Sequence, residues 1–139
     1  MDRDEFSRFR KILGKTQKQI SNLLATSLKA IHSYEQGWRT IPAHVERQMF
    51  FLMSRKLLKG PAAKKSCWTT KKCPDKRKRA CPAWEFKTGD PCWFINGTIC
   101  DGTVHPTWKQ KMDVCRSCQV FETLLTAIDE MDRSRNSQP

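Results

Sequence analysis

Seven cysteines dominate the chemistry available to this 139-residue chain. All of them fall in one stretch, at Cys67, Cys73, Cys81, Cys92, Cys100, Cys115 and Cys118. Thiolates bind zinc ions and iron–sulfur clusters, and a C-x2-C pair such as 115/118 can chelate a metal locally. An odd number of cysteines cannot be paired completely in disulfides. We therefore take all seven as candidate ligands of a metal centre.

The cysteine spacing leaves two candidate cofactors. Zinc ribbons normally present two C-x2-C pairs, and this chain has one, so zinc is the alternative. An iron–sulfur cluster is preferred, because cysteine is almost the only good ligand in this stretch and the Cys-Pro steps at 73–74 and 81–82 are typical of cluster proteins. His105 precedes a proline in a predicted turn and is expected to be a surface residue rather than a ligand.

A run of positive charge lies inside the cysteine-rich stretch. Between residues 71 and 79, six positions are basic: Lys71, Lys72, Lys76, Arg77, Lys78 and Arg79. Nearby cations lower the pKa of thiols and offset the negative charge of a thiolate-ligated centre. The same run could instead contact DNA phosphates or form an ordinary solvated surface. These three interpretations stay open.

A second group of chemistry-bearing residues lies between Gln17 and Pro42. On a helical wheel, the segment after Ser27 places the apolar side chains of Ile31 and Tyr34 on one side. The opposite side carries four candidates for base contacts: Leu28, Lys29, His32 and Ser33. Lysine can donate to guanine, leucine can contact a thymine methyl group, and serine can pair with several base edges. The pattern predicts a helix that reads the major groove of DNA.

Short helices must position these residues. Arg3–Leu13 has apolar residues at helical spacing and is followed by Gly14. Thr16 can cap a second helix, which has three aliphatic residues predicted to face inward: Ile20, Leu23 and Leu24. Ala25 and its neighbour form the corner before a third helix that starts at Ser27. The order predicts a small helical bundle.

The segment from Arg10 to Pro42 resembles the helix-turn-helix of phage repressors and Cro-like proteins, including a closing Glu35-x-Gly37-x4-Pro42 signature. The resemblance implies a buried ion pair between Arg10 and Glu35. It implies that Gln17 clamps a DNA phosphate and that bases are contacted by Ser27, Leu28, Lys29 and Ser33. It also implies backbone phosphate contacts by Trp38, Arg39 and Thr40. The chain departs from this family at Ala25, where glycine is usual, and at Leu28, where a polar residue is common.

The cysteine-rich stretch resembles the two-CW domain, a bacterial cysteine-rich module. The resemblance rests on four segments: CWTTKKC, CPA, GDPCWFINGTICDG and KMDVCRSC. It spans residues 67–118 and includes every cysteine and both Cys-Trp pairs. Such modules occur beside signalling or regulatory domains, which implies a sensor of metal or redox state attached to the DNA-binding unit.

The composition predicts a mainly α protein. It consists of a small helix-turn-helix bundle, a small irregular cysteine-rich domain stabilised by a bound metal, and a C-terminal helix. Residues 1–59 are the predicted DNA-binding domain, 60–66 a linker, and 67–132 the cysteine-rich domain with its helix, which runs over Met112–Met131. Residues 133–139 are predicted to be a disordered tail.

The charge of the chain suits a polyanionic partner. The formal net charge is +12, and residues 1–66 carry 14 Lys and Arg against 5 Asp and Glu. The first ten residues are charged where a signal peptide needs an apolar run. The longest apolar run, Met49–Met53, is too short to cross a membrane. We expect a cytoplasmic protein without membrane association.

The leading hypothesis is a sequence-specific transcriptional regulator that binds double-stranded DNA, is not an enzyme and has no small-molecule substrate. A second hypothesis is a protein-interaction adaptor or antitoxin that uses Phe50 and Phe51 as exposed contacts. A third is a thiol redox enzyme that uses Cys115 and Cys118. The helix over Ala43–Leu58 has more apolar residues than one narrow face needs, so it either closes the core or forms a homodimer contact.

Overall fold

The computed structural model describes residues 1–58, 66–89, 91–100 and 102–137 of the chain. Within these ranges the protein is mainly α-helical with one two-stranded sheet, which confirms the predicted fold class. The chain divides into two compact units: Met1–Lys56 together with Ile128–Pro139, and Leu57–Ala127. Residues 60–65 of the predicted linker lie outside the described residues.

Local sequence signals explain the helices of the first unit. They are α1 Arg3–Ile12, α2 Gln17–Leu23, α3 Leu28–Gln36 and α4 Ala43–Leu57. The Thr16 hydroxyl accepts the Gln19 backbone N–H at 3.1 Å, and the Gln19 side chain accepts the Thr16 N–H at 2.9 Å, which closes a capping box. The Ser27 hydroxyl caps α3 by accepting the Ala30 N–H at 3.1 Å. These caps account for helix starts that match the predicted ones.

An apolar core joins α1, α3 and α4. Phe6 packs edge-on against Tyr34 with ring centroids 5.7 Å apart, and Phe9 packs against Phe50 at 5.3 Å. Phe50 is fully buried, which corrects its expected exposure in the adaptor hypothesis. Leu23 is 51 % exposed, so its predicted inward orientation is wrong. Val45, Met49 and Met53 of α4 are buried as well, which favours core closure as the role of this face, while Phe51 is 38 % exposed.

The corner between α2 and α3 is made by an alanine in the left-handed region. Ala25 has a φ of +50°, and the next residue, Thr26, donates its N–H to the Ser21 carbonyl at 2.9 Å. A Cβ in this conformation approaches the following carbonyl oxygen, which costs about 1–2 kcal/mol. The fold therefore tolerates strain at a position where glycine would have none.

We expect Ala25→Gly to raise the free energy of unfolding by up to about 1 kcal/mol, because glycine adopts the left-handed conformation without strain. Part of this gain is offset, because glycine also increases the conformational entropy of the unfolded chain. Urea unfolding followed by far-ultraviolet circular dichroism measures the change. Ala30→Gly, inside α3, is the matched control and is expected to destabilise by about 1 kcal/mol. A loss of stability in Ala25→Gly equal to that in the control would contradict the expectation.

Short elements build the second unit, as expected for an irregular cysteine-rich domain. They are α5 Cys67–Thr70, α6 Asp75–Ala80, α7 Pro82–Glu85, a 3-10 helix Cys92–Phe94, β1 Ile99–Cys100, β2 Thr103–Val104 and α8 Trp108–Cys115. The strands are antiparallel, with Cys100 opposite Thr103. Trp93 is 2 % exposed and packs edge-on against Phe94 and Phe121, at centroid distances of 6.0 and 5.7 Å. This aromatic cluster supplies the apolar core that the few aliphatic residues do not.

The last helix differs from its prediction at both ends. The predicted Met112–Met131 helix is broken between α8 and α9, Gln119–Asn136, by a turn in which Cys118 donates its N–H to the Cys115 carbonyl at 2.9 Å. Helix α9 also extends past 133, where a disordered tail was predicted. Two carboxylates of its later turns, Asp129 and Asp132, each lie 3.7 Å from the Arg8 guanidinium, and the basic residues of its last turn suit the helix dipole.

No helix in the described ranges combines the length and apolar character needed to cross a membrane.

Candidate functional site

The beginning of α3 presents an exposed face. Leu28 is 40 % exposed, and the side chains of Lys29 and His32 are also exposed. Ser27 precedes the helix, and its hydroxyl accepts the Ala30 N–H at 3.1 Å, which keeps the first turn ordered. These side chains are available for contact with a partner.

Ser33 does not belong to this exposed face, although the helical wheel placed it there. Its side chain is 7 % exposed, and its hydroxyl donates to the Lys29 carbonyl at 3.0 Å. A serine inside a helix can satisfy its hydroxyl on the carbonyl four residues earlier. The predicted base contact by Ser33 is therefore corrected: the side chain is buried and already bonded.

A small polar network ties α1, α2 and α3 together. The Arg10 guanidinium donates to both oxygens of Glu35, at 2.5 and 3.3 Å, and to the Lys15 carbonyl at 2.8 Å. Gln17 donates to the same carboxylate at 2.9 Å. The Arg10–Glu35 pair implied by the family resemblance is thus confirmed. Because an amide carries two N–H groups, Gln17 keeps one donor for the phosphate contact assigned to it.

The network also sets the charge state of Glu35. Burial alone would raise the pKa of this carboxyl group, but the hydrogen bonds from Arg10 and Gln17 and the charge of Arg10 outweigh burial. They hold the pKa of Glu35 below its ordinary value of 4.5. The ion pair is therefore fully formed at neutral pH.

The chain leaves α3 through a left-handed glycine and exposes three residues. Gly37 has a φ of +77°, and the Trp38 N–H returns to the Ser33 carbonyl at 2.9 Å. Trp38 is 75 % exposed, and Arg39 and Thr40 are exposed too. An indole, a guanidinium and a hydroxyl are all hydrogen-bond donors that can reach a phosphate.

The second unit contains a cavity of about 60 Å³ among its cysteines. Six thiols line it: Cys67, Cys73, Cys81, Cys92, Cys100 and Cys118. Cys115 is not among the lining residues and is buried, at 5 % exposure. The structure therefore brings six of the predicted ligands to the cavity, whereas Cys115 lies near Cys118 and Cys100 but does not line it.

Backbone turns and helix ends position these thiols around the cavity. Cys67 begins α5 and donates its N–H to the Gly89 carbonyl at 2.6 Å, while Cys81 joins α6 to α7 and Cys118 joins α8 to α9. A Cβ on Gly89 would lie 2.6 Å from the Trp68 ring, so only glycine fits beside this ring. The cavity is thus assembled from segments far apart in the sequence.

Hydrogen bonds and burial make the thiols unequal. Cys67 and Cys92 hydrogen-bond to each other; this bond lowers the pKa of Cys67 and, together with burial, raises the pKa of Cys92. The Ile99 N–H donates to the Cys81 sulfur at 3.3 Å. Burial raises the pKa of Cys115 to about 11. Cys67 is therefore the thiol that most readily loses its proton among those with a shifted pKa.

A buried lysine adds positive charge beside the thiols. Lys111 is 2 % exposed, and its ammonium donates to the Thr98 hydroxyl at 2.5 Å. Its charge lowers the pKa of Cys67. Asp90 and Asp101 lie outside the described residues, and no carboxylate of the described ranges lies within ion-pair distance of this ammonium.

Two of the tryptophans in this unit line the cavity, and two are buried in its core. Trp68 and Trp84 line the cavity and pack edge-on with centroids 5.0 Å apart, whereas Trp93 and Trp108 are buried. Trp93 and Trp108 therefore belong to the core. Part of the basic run also lines the cavity, at Lys71, Arg77 and Lys78. His105, which was expected at the surface, is half-buried and is not a lining residue.

The described residues contain no group of three or more His, Cys, Asp or Glu side chains disposed to hold a single metal ion. The donor set around the cavity nevertheless fits a thiolate-ligated centre, since it combines six sulfurs with cations and an N–H donor to sulfur. Sequence reasoning missed Lys111. Its signal was a lysine among the inward-facing positions of α8, next to Met112 and four residues before Cys115.

Comparisons of the chain with protein-family models, curated proteins and solved structures give no match. The two family resemblances therefore rest on the motifs alone, and function has to be argued from the geometry of the two sites.

Proposed function

We propose that this protein is a sequence-specific DNA-binding transcriptional regulator whose cysteine-rich unit holds a metal or iron–sulfur centre that reports metal or redox state. The observation that carries the proposal is the exposed face of Leu28, Lys29 and His32 at the start of a capped helix after a tight corner. A helix presented in this way fits the major groove of B-form DNA.

The exposed face of α3 is rigidly supported, which favours a DNA-recognition helix over an ordinary surface helix. The opposite side of α3 buries Ile31 and Tyr34, and the Arg10–Glu35 pair anchors its last turn. A reading helix must be held in one orientation, because small misplacements break bidentate or methyl contacts with bases. The core and the ion pair supply that orientation.

Two kinds of DNA contact are assigned on this basis. Lys29 would donate to guanine O6 or N7, Leu28 would contact a thymine methyl group, and His32 would hydrogen-bond to a base edge. The phosphate contacts are assigned to Gln17, Trp38, Arg39 and Thr40, and Ser27, at the entry of the helix, keeps its expected base contact. Base contacts specify sequence, whereas phosphate contacts fix register.

Lys29→Ala is expected to weaken binding to a selected operator by about 1–3 kcal/mol and to relax specificity at one base pair. The operator is first selected from random duplexes, and fluorescence anisotropy then compares selected and scrambled sequences at fixed salt. Ser33→Ala is the matched control: it alters a side chain on the same helix that is buried, and we expect unchanged specificity. Equal weakening of Lys29→Ala on every sequence, or failure to select any operator, would contradict the proposal.

The structure gives less support to the alternatives. The adaptor hypothesis uses Phe50 and Phe51 as exposed contacts; Phe51 is 38 % exposed, whereas Phe50 is fully buried against Phe9. The redox-enzyme hypothesis needs a reactive Cys115, but burial raises the pKa of this thiol to about 11, and the thiolate is the nucleophilic form. The DNA-binding proposal uses the exposed face at the start of α3.

A further inference from the structure

We propose that the cysteine-lined cavity binds an iron–sulfur cluster rather than a zinc ion, that Cys118 is a ligand and Cys115 is not, and that the buried Lys111 ammonium balances the negative charge of the cluster. This inference rests on the metal-binding half of the proposed function and is independent of its DNA-binding half.

The number of thiols around the cavity favours a polynuclear centre over a mononuclear site. Tetrahedral zinc needs only four ligands, at about 2.3 Å. Six thiols surround a space of about 60 Å³ here. Because about 10–15 Å³ is enough for one water molecule, this space suits a group larger than a single ion.

The charges around the cavity favour an anionic guest. Lys111 is 2 % exposed, and among the described residues the ammonium donates to the neutral Thr98 hydroxyl; a buried ammonium is stabilised by negative charge nearby. Arg77 and Lys78 add positive charge at the lining, where Lys78 also pairs with Asp75 at 3.5 Å. A cluster held by four thiolates is anionic, because the ligands carry more negative charge than the inorganic core carries positive charge.

The C-x2-C motif is split by the end of α8. Cys115 is the last residue of that helix and faces the interior, 5 % exposed, whereas Cys118 lies in the following turn and lines the cavity. A chelating pair would need both sulfurs on one ion. The geometry therefore assigns the motif one ligand and one core residue.

The cluster is tested on full-length protein purified without oxygen, by assaying iron, acid-labile sulfide and zinc and recording the visible spectrum. We expect iron and sulfide in equal amounts in the wild type, their loss in Cys118→Ser, and their retention in Cys115→Ser. Far-ultraviolet circular dichroism shows that each variant is folded. Stoichiometric zinc without sulfide, or no metal, would overturn the proposal. Equal retention or equal loss in the two folded variants would overturn the ligand assignment.

Lys111→Met tests the role of the lysine. A positive charge beside a cluster stabilises its reduced form, so we expect a more negative reduction potential in a spectroscopic redox titration. Lys109→Met, at an exposed lysine on the same helix, is expected to leave the potential unchanged. Lys111→Gln serves as a second neutral variant if the methionine variant does not fold. An unchanged potential in a folded Lys111 variant would overturn the charge assignment.

DNA binding of the same preparations separates the two proposals. Protein that contains the cluster but binds no operator would reject the regulator and leave this inference standing. Protein that binds its operator but contains neither iron nor sulfide would do the reverse.

Discussion

Arg10→Met is expected to lower the free energy of unfolding of the helix-turn-helix unit by up to about 3–5 kcal/mol, because it leaves a partly buried carboxylate without its cation. Glu35 is 10 % exposed and receives two hydrogen bonds from Arg10. The same change releases the Lys15 carbonyl that Arg10 also binds. Urea unfolding of wild type and variant, followed by far-ultraviolet circular dichroism, measures the loss.

Two controls separate the buried pair from general charge effects. Asp4→Asn removes the partner of Arg3 in an exposed pair with a 3.9 Å separation, and we expect a change below about 1 kcal/mol. Arg10→Met combined with Glu35→Met removes both charges and is expected to recover part of the loss. Equal effects of Arg10→Met and Asp4→Asn would show that the pair contributes little.

The pH dependence of the wild type gives an independent measurement of the same pair. The folded pKa of Glu35 lies below 4.5, so its stabilising contribution is complete above that pH and is lost as the pH falls through the folded pKa. Glu35→Gln removes this component. A stability profile below pH 4.5 that is the same in wild type and Glu35→Gln would contradict the assignment.

Trp93→Ala is the second change with a large expected effect: it should lower the stability of the cysteine-rich unit by about 3–5 kcal/mol. Trp93 is 2 % exposed and packs edge-on against two phenylalanines, so truncation leaves a cavity at the centre of a small core. Tryptophan fluorescence during urea unfolding measures this unit, because four of the five tryptophans belong to it, at Trp68, Trp84, Trp93 and Trp108.

Trp38→Ala is the matched control, since it truncates a tryptophan that is 75 % exposed. We expect a stability change within about 0.5 kcal/mol. It also removes the fluorescence of the first unit, so the remaining signal comes from the cysteine-rich unit alone. If Trp93→Ala unfolded at the same urea concentration as this control, the proposed aromatic core would be wrong.

The first unit could be predicted closely because its signals are local. Helix α1 was predicted over Arg3–Leu13 and is observed over Arg3–Ile12, and α4 ends at Leu57 where Leu58 was predicted. Apolar periodicity and capping side chains act within one or two helical turns, and they are visible in the sequence. The Arg10–Glu35 pair is long-range, and the family resemblance supplied it.

Ser33 shows a limit of prediction from helical periodicity. A wheel places residues by angle and treats serine as polar, but it cannot show that the hydroxyl is satisfied by the Lys29 carbonyl and can be buried. The same limit applies to Leu23, which helical spacing placed inside and the fold leaves 51 % exposed. Tertiary contacts decide these positions.

The cysteine-rich unit was predictable only in outline. Its short helices carry no periodicity, and the turn at 116–118 interrupts an apolar pattern that continues from Met112 to Met131. From the spacing, Cys115 and Cys118 were equivalent candidate ligands. In the structure, α8 ends at Cys115, and only Cys118 lines the cavity. The place of Lys111 depends on contacts with Thr98 across the unit, which no local pattern encodes.

The distribution of the cavity cysteines along the chain has a consequence for biosynthesis. The wall begins with Cys67 and is completed by Cys118, directly before the last helix. A growing polypeptide that has not yet emerged from the ribosome as far as Cys118 lacks part of the wall. Any metal centre bound there could therefore be completed only after Cys118 has been translated, and the thiols translated before it would have to stay reduced until then.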